Sequence, residues 1–243
     1  MAALSGAVRA ARALVAAGRS GAGAVRAFAL PQRCPGCGEP APPEAVLCAA
    51  CRARIPPLSS PLCARCLLAG RAPEGCHRHP AFRVFAPWQL DDHAAAIVHA
   101  LKYGGRPGIA RGLGAALAAA VPVSARATDL VLEVPLHPAR ERERGYNQAA
   151  RLADALAAAI AAPRLAGALA RTRRTRPQVS LGEQARRANV SGAFAVLDPG
   201  LLHGRRVLIV DDVMTTGATL EACLTQLAAA GAKAAGVALA WTP

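Results

Sequence analysis

The sequence predicts an α/β domain with a parallel sheet and flanking helices, preceded by a small cysteine-rich domain. Two observations carry this prediction. Seven of the eight cysteines lie between residues 34 and 76. From residue 81 onwards, apolar runs that are typical of buried strands alternate with segments of helical periodicity. The expected organisation is an Ala/Arg-rich segment over 1–30, the cysteine-rich domain over 31–80 and the α/β domain over 81–243.

The composition is strongly basic. The formal net charge is +14, and almost all cations are arginines, since Lys102 and Lys233 are the only lysines. Arginine binds phosphate groups bidentately, so the charge favours polyanionic partners. A genome-wide bias toward Ala and Arg codons explains the charge equally well, and the charge alone therefore assigns no function. No apolar run approaches the roughly 20 residues that a membrane crossing needs.

The first 30 residues contain four arginines and no acid. A secretory signal needs an unbroken apolar stretch, and Arg12 and Arg19 interrupt this one. We expect a frayed amphipathic helix in a cytoplasmic protein.

The cysteines and one histidine form two similar sets, each made of two pairs with C-x-x-C-type spacing. The second set repeats the first after 28 or 29 residues, and a histidine stands where the repeat would put its last cysteine. The sets are Cys34, Cys37, Cys48 and Cys51, and Cys63, Cys66, Cys76 and His79.

This spacing predicts one or two structural zinc ions. A C-x-x-C pair directs two thiolates at one ion, and two pairs complete a tetrahedron around Zn²⁺. Because protein side chains fill all four positions, such a site has no open place for substrate. The spacing leaves open which pairs combine, interleaved pairing included. Iron–sulfur clusters and redox-active thiols are the alternatives, and nothing in the sequence indicates the export that would favour disulfides.

The remaining chain shows strands alternating with helices. The pattern predicts one or two short strands between Phe82 and Trp88, helices over 91–102 and up to about Val121, a strand over 129–134, a helix over 147–161, a strand over 207–210, a helix over about 217–230 and a last strand over 234–241. We expect an arginine-rich loop after Val134, and a functional loop in the long polar stretch 171–191. Cys223 is predicted to be a core residue of the 217–230 helix.

The strand 207–210 leads into the candidate site of Asp211, Asp212, Thr215, Thr216, Gly217, Ala218 and Thr219. In open α/β sheets, ligands bind at this end of a strand. Backbone N–H groups at a helix N-terminus and threonine hydroxyls suit a phosphate dianion. Adjacent acids can accept hydrogen bonds from a vicinal diol and help to hold a Mg²⁺ carried by a pyrophosphate. Helix capping would need only one such residue, and no P-loop motif is present to suggest a nucleotide triphosphatase.

Residues 207–219 resemble the phosphoribosyl pyrophosphate signature of type I phosphoribosyltransferases. The chain from about Pro31 to Trp241 resembles the ComF/GntX family, the competence protein F proteins. Besides the cysteine pairs, the motifs that carry this resemblance are His99–Gly105, Val134–Pro138 with Arg140, Arg144–Gln148, Arg171–Arg173 with Thr175 and Gln178, and Arg186 with Asn189.

The resemblance implies a type I phosphoribosyltransferase-like fold, preceded by a double zinc ribbon in which His79 replaces a cysteine. It implies that residues 211–212 and 215–219 bind phosphoribosyl pyrophosphate (PRPP), with Mg²⁺ near Asp211 and Asp212. It also makes the loop after Val134 the pyrophosphate loop and 171–190 a mobile flap. The candidate pyrophosphate and flap residues are Lys102, His137, Arg140, Arg144, Asn147, Gln148, Gln178, Arg186 and Asn189.

Three functional hypotheses follow. The first is a phosphoribosyltransferase with an unknown acceptor, which the resemblance connects with DNA uptake in natural transformation. The second is a non-catalytic protein that senses PRPP and binds single-stranded DNA. The third treats the zinc segment as a docking module. Candidate partners are PRPP, single-stranded DNA, proteins of the competence machinery and a second copy of the chain in a homodimer.

Overall fold

The fold is built around a mixed sheet with helices on both faces. The computed structural model describes residues 33–41, 46–58, 60–103, 109–172 and 192–243. Its strands are β1 Leu62–Cys63, β2 Arg83–Phe85, β3 Trp88–Gln89, β4 Leu130–Glu133, β5 Leu169–Arg171, β6 Phe194–Val196, β7 Arg206–Met214 and β8 Lys233–Trp241. Its helices are α1 Ala49–Arg54, α2 Ala64–Leu68, α3 Asp92–Tyr103, α4 Ile109–Ala120, α5 Val123–Arg126, α6 Pro138–Arg144, α7 Gln148–Ala159 and α8 Ala218–Ala229.

The main sheet has the strand order β1-β2-β8-β7-β4, and β3 also pairs with β8. All of these pairs are parallel except that of β1 with β2. The predicted parallel sheet is therefore confirmed, with one addition. The edge strand β1 comes from the cysteine-rich segment, so this segment extends the sheet of the α/β domain.

Both faces of the sheet are buried, as the apolar run in β7 predicts. Leu208 and Val210 pack in one core cluster with α3, α4 and α7. Val207 and Ile209 point the other way and pack in a second cluster with α8. The cysteine-rich segment contributes to both hydrophobic cores. Cys34 and Cys51 pack in the core that contains Leu208, whereas Cys63 and Cys66 pack in the core that contains Val207. Cys223 is fully buried in α8, as predicted.

Strand β7 is longer than the sequence predicts. The predicted strand stops at Val210, whereas β7 continues through the two acids to Met214. The extension exists because β8 stays paired alongside, as far as Met214 opposite Trp241. Asp211 and Asp212 are thus part of the sheet, and their backbone is held by it.

A helix stands where we expected an arginine-rich loop, so that part of the prediction is wrong. Helix α6 begins directly after His137, whose Nδ1 accepts a hydrogen bond from the Ala139 N–H at 3.1 Å. Pro138 suits the first helical position, and Gly145 ends the helix with φ 79°. These local capping signals produce a helix from an otherwise loop-like sequence.

Strands β5 and β6 flank the predicted flap. They pair antiparallel, from Leu169 opposite Val196 to Arg171 opposite Phe194. Sequence periodicity did not predict either three-residue strand. Most of the predicted flap lies outside the described residues, as does the predicted helix over 1–30. Within the described ranges, none of the helices combines the length and the apolar character that a membrane crossing requires.

Candidate functional site

The first cysteine cluster gathers Cys34, Cys37, Cys48 and Cys51, whose sulfur atoms all lie within 4.8 Å of one another. The Sγ atoms of Cys37 and Cys48 are 3.6 Å apart. Sulfur ligands at the corners of a zinc tetrahedron would be separated by about 3.8 Å. Backbone N–H groups point at the sulfurs, from Cys48 to Cys34 Sγ at 3.4 Å and from Cys51 to Cys48 Sγ at 3.5 Å. Against the effect of burial, hydrogen bonds from backbone N–H groups lower the pKa of the Cys34 thiol to about 6, which favours the thiolate form that binds a metal ion.

The second cluster gathers Cys63, Cys66, Cys76 and His79. His79 Nδ1 lies 3.4 to 3.6 Å from the sulfur atoms of the three cysteines. A nitrogen and a sulfur ligand in a zinc tetrahedron would be about 3.6 Å apart. The histidine therefore fits as the fourth ligand, through Nδ1.

Both clusters suit a structural zinc ion. The ligands combine sequentially, one cluster for each repeat, so the interleaved pairing that the spacing left open is not adopted. A bound ion would cross-link segments that bury little apolar surface of their own, which is how small zinc domains obtain their stability.

The acids Asp211 and Asp212 lie near the carboxyl end of β7. Each carboxylate accepts a hydrogen bond from the next backbone N–H, at 2.8 Å in both cases. The second oxygen of Asp212 lies 2.7 Å from Lys102 Nζ at the end of α3. This ion pair is partly buried, with side-chain exposures of 24% for Lys102 and 18% for Asp212. Lys102 is therefore fixed by an acid and is not a solvated helix-terminal cation.

Asp211 is an acid with an unusual affinity for its proton. Burial, reinforced by the negative charge of Asp212, raises the pKa of Asp211 to about 7. The nearby charge of Lys102 acts in the opposite direction. A cation or a hydroxyl donor placed beside such a carboxyl would stabilise its charged form. Acids with perturbed pKa values concentrate at ligand sites.

A cavity of about 690 Å³ opens above the two acids. Its cationic lining consists of Lys102, Arg140, Arg144 and Arg171. Burial, together with the positive charge of Arg140, lowers the pKa of Arg171. This concentration of positive charge is suited to a polyanion, and the two acids at the floor give the cavity an opposite pole.

Helix α3 and the α6–α7 turn form one wall of the cavity. The Tyr146 hydroxyl donates to the Leu101 carbonyl and ties this turn to α3. Arg144 donates to the Tyr103 hydroxyl at 3.3 Å, and its guanidinium lies 5.3 Å from the centre of the Tyr103 ring. Tyr103 is 62% exposed, so one face of an aromatic ring is presented at the cavity rim.

Asn147 and Gln148 line the cavity at the start of α7. Asn147 caps the helix and also donates to the Val134 carbonyl at 3.0 Å, which holds the chain after β4 in place. Gln148 is 2% exposed. Its Oε1 accepts from Arg144 at 3.2 Å, whereas its Nε2 has no hydrogen-bond partner among the described residues. A buried amide donor without a partner is costly, and a ligand oxygen in the cavity would satisfy it.

The loop 215–219, which comprises the turn between β7 and α8 and the first two residues of α8, contributes Thr215 and Thr219 to the cavity lining. Gly217 adopts φ 75°, a left-handed conformation that favours glycine, and α8 begins at the next residue. The Thr216 hydroxyl is buried and has no hydrogen-bond partner within the described ranges. The loop thus combines the N-terminus of a twelve-residue helix with hydroxyl donors.

Most predicted site residues that the structure describes meet at this cavity. Thr216, Gly217 and Ala218 belong to the loop but not to the lining, and His137 caps α6. Gln178, Arg186 and Asn189 lie outside the described residues. Arg171 lines the cavity from β5, and Thr242 lines it from the segment after β8. Arg171 is the first residue of the predicted flap and part of a motif that carries the family resemblance, but it was not among the predicted pyrophosphate and flap residues. No signal in the sequence pointed to Thr242.

Two protein families match the chain. The phosphoribosyl transferase domain matches residues 144–243, and the double zinc ribbon domain matches residues 25–78. The phosphoribosyltransferase-like fold and the N-terminal zinc-binding region that the sequence predicts are therefore confirmed.

Curated proteins resemble the chain over much of its length. DNA utilization protein YhgH of Escherichia coli O157:H7 is 33% identical over 193 residues, which cover 77% of this chain and 80% of that protein. Competence protein F of Haemophilus influenzae is 37% identical over 94 residues, which cover 38% of this chain and 41% of that protein. Adenine phosphoribosyltransferase of Mycobacterium tuberculosis is 35% identical over 130 residues, or 53% and 54% respectively.

The first of these relatives is more than 30% identical to the chain, and the match covers more than two thirds of both proteins. The chain therefore belongs to the ComF/GntX family, together with DNA utilization protein YhgH and competence protein F.

Proposed function

We propose that the chain binds phosphoribosyl pyrophosphate with Mg²⁺ in this cavity and transfers the phosphoribosyl group to an acceptor, as part of DNA utilisation in the cytoplasm. One observation carries the proposal. The pair Asp211 and Asp212, with Lys102 bound to Asp212, lines a cavity whose other charged lining residues are all cationic. A ribose diol next to phosphate groups matches these two poles.

The parts of the ligand can be assigned to parts of the site. The loop 215–219 would bind the 5′-phosphate through backbone N–H groups and threonine hydroxyls. The acids would accept hydrogen bonds from the two ribose hydroxyls. The pyrophosphate would lie toward Arg140, Arg144 and the Gln148 amide, whose unpartnered Nε2 it would satisfy. The alignment with an adenine phosphoribosyltransferase supports a phosphoribosyl donor.

The reaction would break the bond between the anomeric carbon and the pyrophosphate oxygen, and form a bond from that carbon to the acceptor. The electron pair leaves with the pyrophosphate, so negative charge grows at the leaving group. Mg²⁺, bound with the pyrophosphate near Asp211, would neutralise part of this charge. Lys102, Arg140 and Arg144 would stabilise the remainder from fixed positions. The acids would hold the ribose while positive charge develops on its ring.

Calorimetric titration with PRPP and Mg²⁺ tests the proposal. We expect one saturable site per chain. The double variant D211N/D212N should bind at least about 100-fold more weakly, because each hydrogen bond to a charged group contributes about 1.5–3 kcal/mol. Asparagine keeps the side-chain size and still accepts hydrogen bonds from backbone N–H groups, which limits structural damage.

The matched control is the double variant D129N/D198N. It removes the same charge from two carboxylates that do not line the cavity. It should retain wild-type affinity. The proposal fails if the wild type shows no binding at millimolar PRPP, or if the two double variants lose affinity equally.

A second candidate function is binding of single-stranded DNA without catalysis. The net charge of +14 and the exposed Tyr103 ring beside Arg144 favour it, as does the name DNA utilization protein carried by relatives. Competence proteins and a second copy of the chain also stay candidate partners. This function predicts single-strand affinity that falls steeply with salt and persists in D211N/D212N. Pyrophosphate release with an acceptor, lost in D211N/D212N, would identify the enzyme instead.

A further inference from the structure

The second cysteine cluster lies directly against the loop that precedes α8. Helix α2 starts between two of the cluster's ligands, with Cys63 as its N-cap and Cys66 in its first turn. A Cβ added to Gly217 would lie 2.8 Å from the Ala64 carbonyl oxygen and 3.1 Å from Ala64 Cα. The backbones of Gly217 and Ala64 are therefore in contact, and Ala64 is completely buried.

Arg65 makes a second connection between α2 and α8. Its Nη2 and Nε donate to the same oxygen of Glu221, at 2.9 and 3.2 Å. Glu221 lies one turn beyond Gly217, and its N–H donates to the Gly217 carbonyl at 2.8 Å. The Arg65 guanidinium also lies 3.5 Å from the centre of the Phe82 ring, which restricts its orientation. Arg65 thus connects the cluster to the first turn of α8.

The residues on both sides of the loop pack in the same hydrophobic core as the second cysteine cluster. Met214, just before the loop, and Ala218, at its helical end, share a hydrophobic core with Cys63, Cys66 and Phe82. Among the described residues, the first cysteine cluster packs in the other core, and no residue of α8 belongs to that core. The support of the loop is therefore specific to the second cluster.

We propose that the metal-bound second cluster holds the 215–219 loop in its binding conformation, and that Arg65 is a positioning residue for PRPP. The proposal rests on the proposed function, because it gives that loop the role of binding the 5′-phosphate. Cys63 and Cys66 would hold a zinc ion, and the bound ion would fix Ala64 and Arg65, which lie between these ligands. Loss of the ion would release α2, and the loop would then have to be ordered by the ligand at a cost in affinity.

Calorimetry on R65M and E221Q tests the positioning role. Methionine keeps much of the apolar packing on Phe82 and removes the guanidinium that pairs with Glu221 and lies over the ring. Each single variant should bind PRPP about 2- to 5-fold more weakly, the range that a partly exposed ion pair can supply. The double variant should be no weaker than the weaker single variant, because the two side chains act as one unit. R65K, which keeps the charge, should recover part of the affinity. Zinc content should stay at two ions in all of them.

The metal dependence is tested with His79. H79A removes one ligand and should lower PRPP affinity on the order of ten-fold, whereas H79C restores four ligands and should restore binding. Coupling between two binding sites is reciprocal. Saturating PRPP should therefore strengthen the binding of one of the two zinc ions, by the factor by which that ion strengthens PRPP binding. Competition with a chelator measures this change in zinc affinity.

The outcomes separate the two proposals. If the wild type binds no PRPP, the proposed function fails, and this inference fails with it. If the wild type binds PRPP while R65M, E221Q and H79A all match it, only the positioning role is overturned. PRPP that leaves the affinity for both zinc ions unchanged would likewise overturn the coupling.

Discussion

The purified protein is expected to contain two zinc ions per chain, one for each four-ligand cluster. The variant C51S should retain one ion and lose stability, because Cys51 is a buried ligand of the first cluster. Structural zinc contributes on the order of 10 kcal/mol to the folding of small zinc domains, so the loss should be large. We expect at least about 3 kcal/mol, or roughly 10 °C in the midpoint of thermal unfolding. A metal-sensitive dye gives the zinc content, and circular dichroism gives the midpoint.

The matched control is C223A. Cys223 is also a buried cysteine, but it lies in α8 and belongs to neither cluster. This variant should keep both zinc ions and lose only the packing of one thiol. An iron–sulfur cluster would instead colour the protein and give iron in elemental analysis. A zinc content below one ion after refolding with zinc would refute both assigned sites.

Replacing Asp211 with asparagine is expected to stabilise the protein while it weakens ligand binding. Burial and Asp212 raise the pKa of Asp211 to about 7, whereas an aspartate in an unfolded chain titrates near 3.9. The folded state therefore holds the proton more tightly than the unfolded state. On this account stability falls as the pH rises from about 4 to 7, and stays low above 7. Asparagine mimics the protonated acid and removes this loss.

The magnitude follows from the same shift. At pH 8 we expect D211N to exceed the wild type by about 4 kcal/mol in free energy of unfolding, with a gain about 1 kcal/mol smaller at pH 6. Urea denaturation at a series of pH values, with zinc present, measures this difference. D129N is the control with the opposite expected sign. Hydrogen bonds from Arg206 lower the pKa of Asp129, so loss of this carboxylate should slightly destabilise the folded protein. A gain for D211N that does not grow between pH 6 and pH 8 would contradict the explanation.

The predictions that succeeded rest on local patterns. The run Val207–Val210 predicted a strand buried on both faces, and the 28- or 29-residue repeat placed His79 as the fourth ligand of the second cluster. The pairing of cysteines could not be predicted, because identical spacings allow several combinations. The helix α6 was missed because arginines and glutamates dominate its sequence, and its formation depends on caps that a periodicity argument does not weigh.

Contacts between distant residues could not be predicted from the pattern. Lys102 was nominated for a pyrophosphate, but its bond to Asp212 joins residues 110 positions apart in the sequence. The contact of Gly217 with Ala64 spans an even greater separation. The first contact depends on how α3 packs against the sheet, and the second depends on the position of β1 at the sheet edge. No local signal in the sequence encodes either arrangement.

The position of β1 has a consequence for the integrity of the domain. Strand β1 covers the outer side of β2 through its antiparallel pairing at Leu62 and Cys63. If a fragment began at residue 81, the unpaired backbone groups of β2 would be open to strands from other molecules, and the apolar side chain of Val84, which is fully buried here, would lose its cover. We therefore expect the phosphoribosyltransferase-like domain to self-associate when it is expressed without the zinc-binding region.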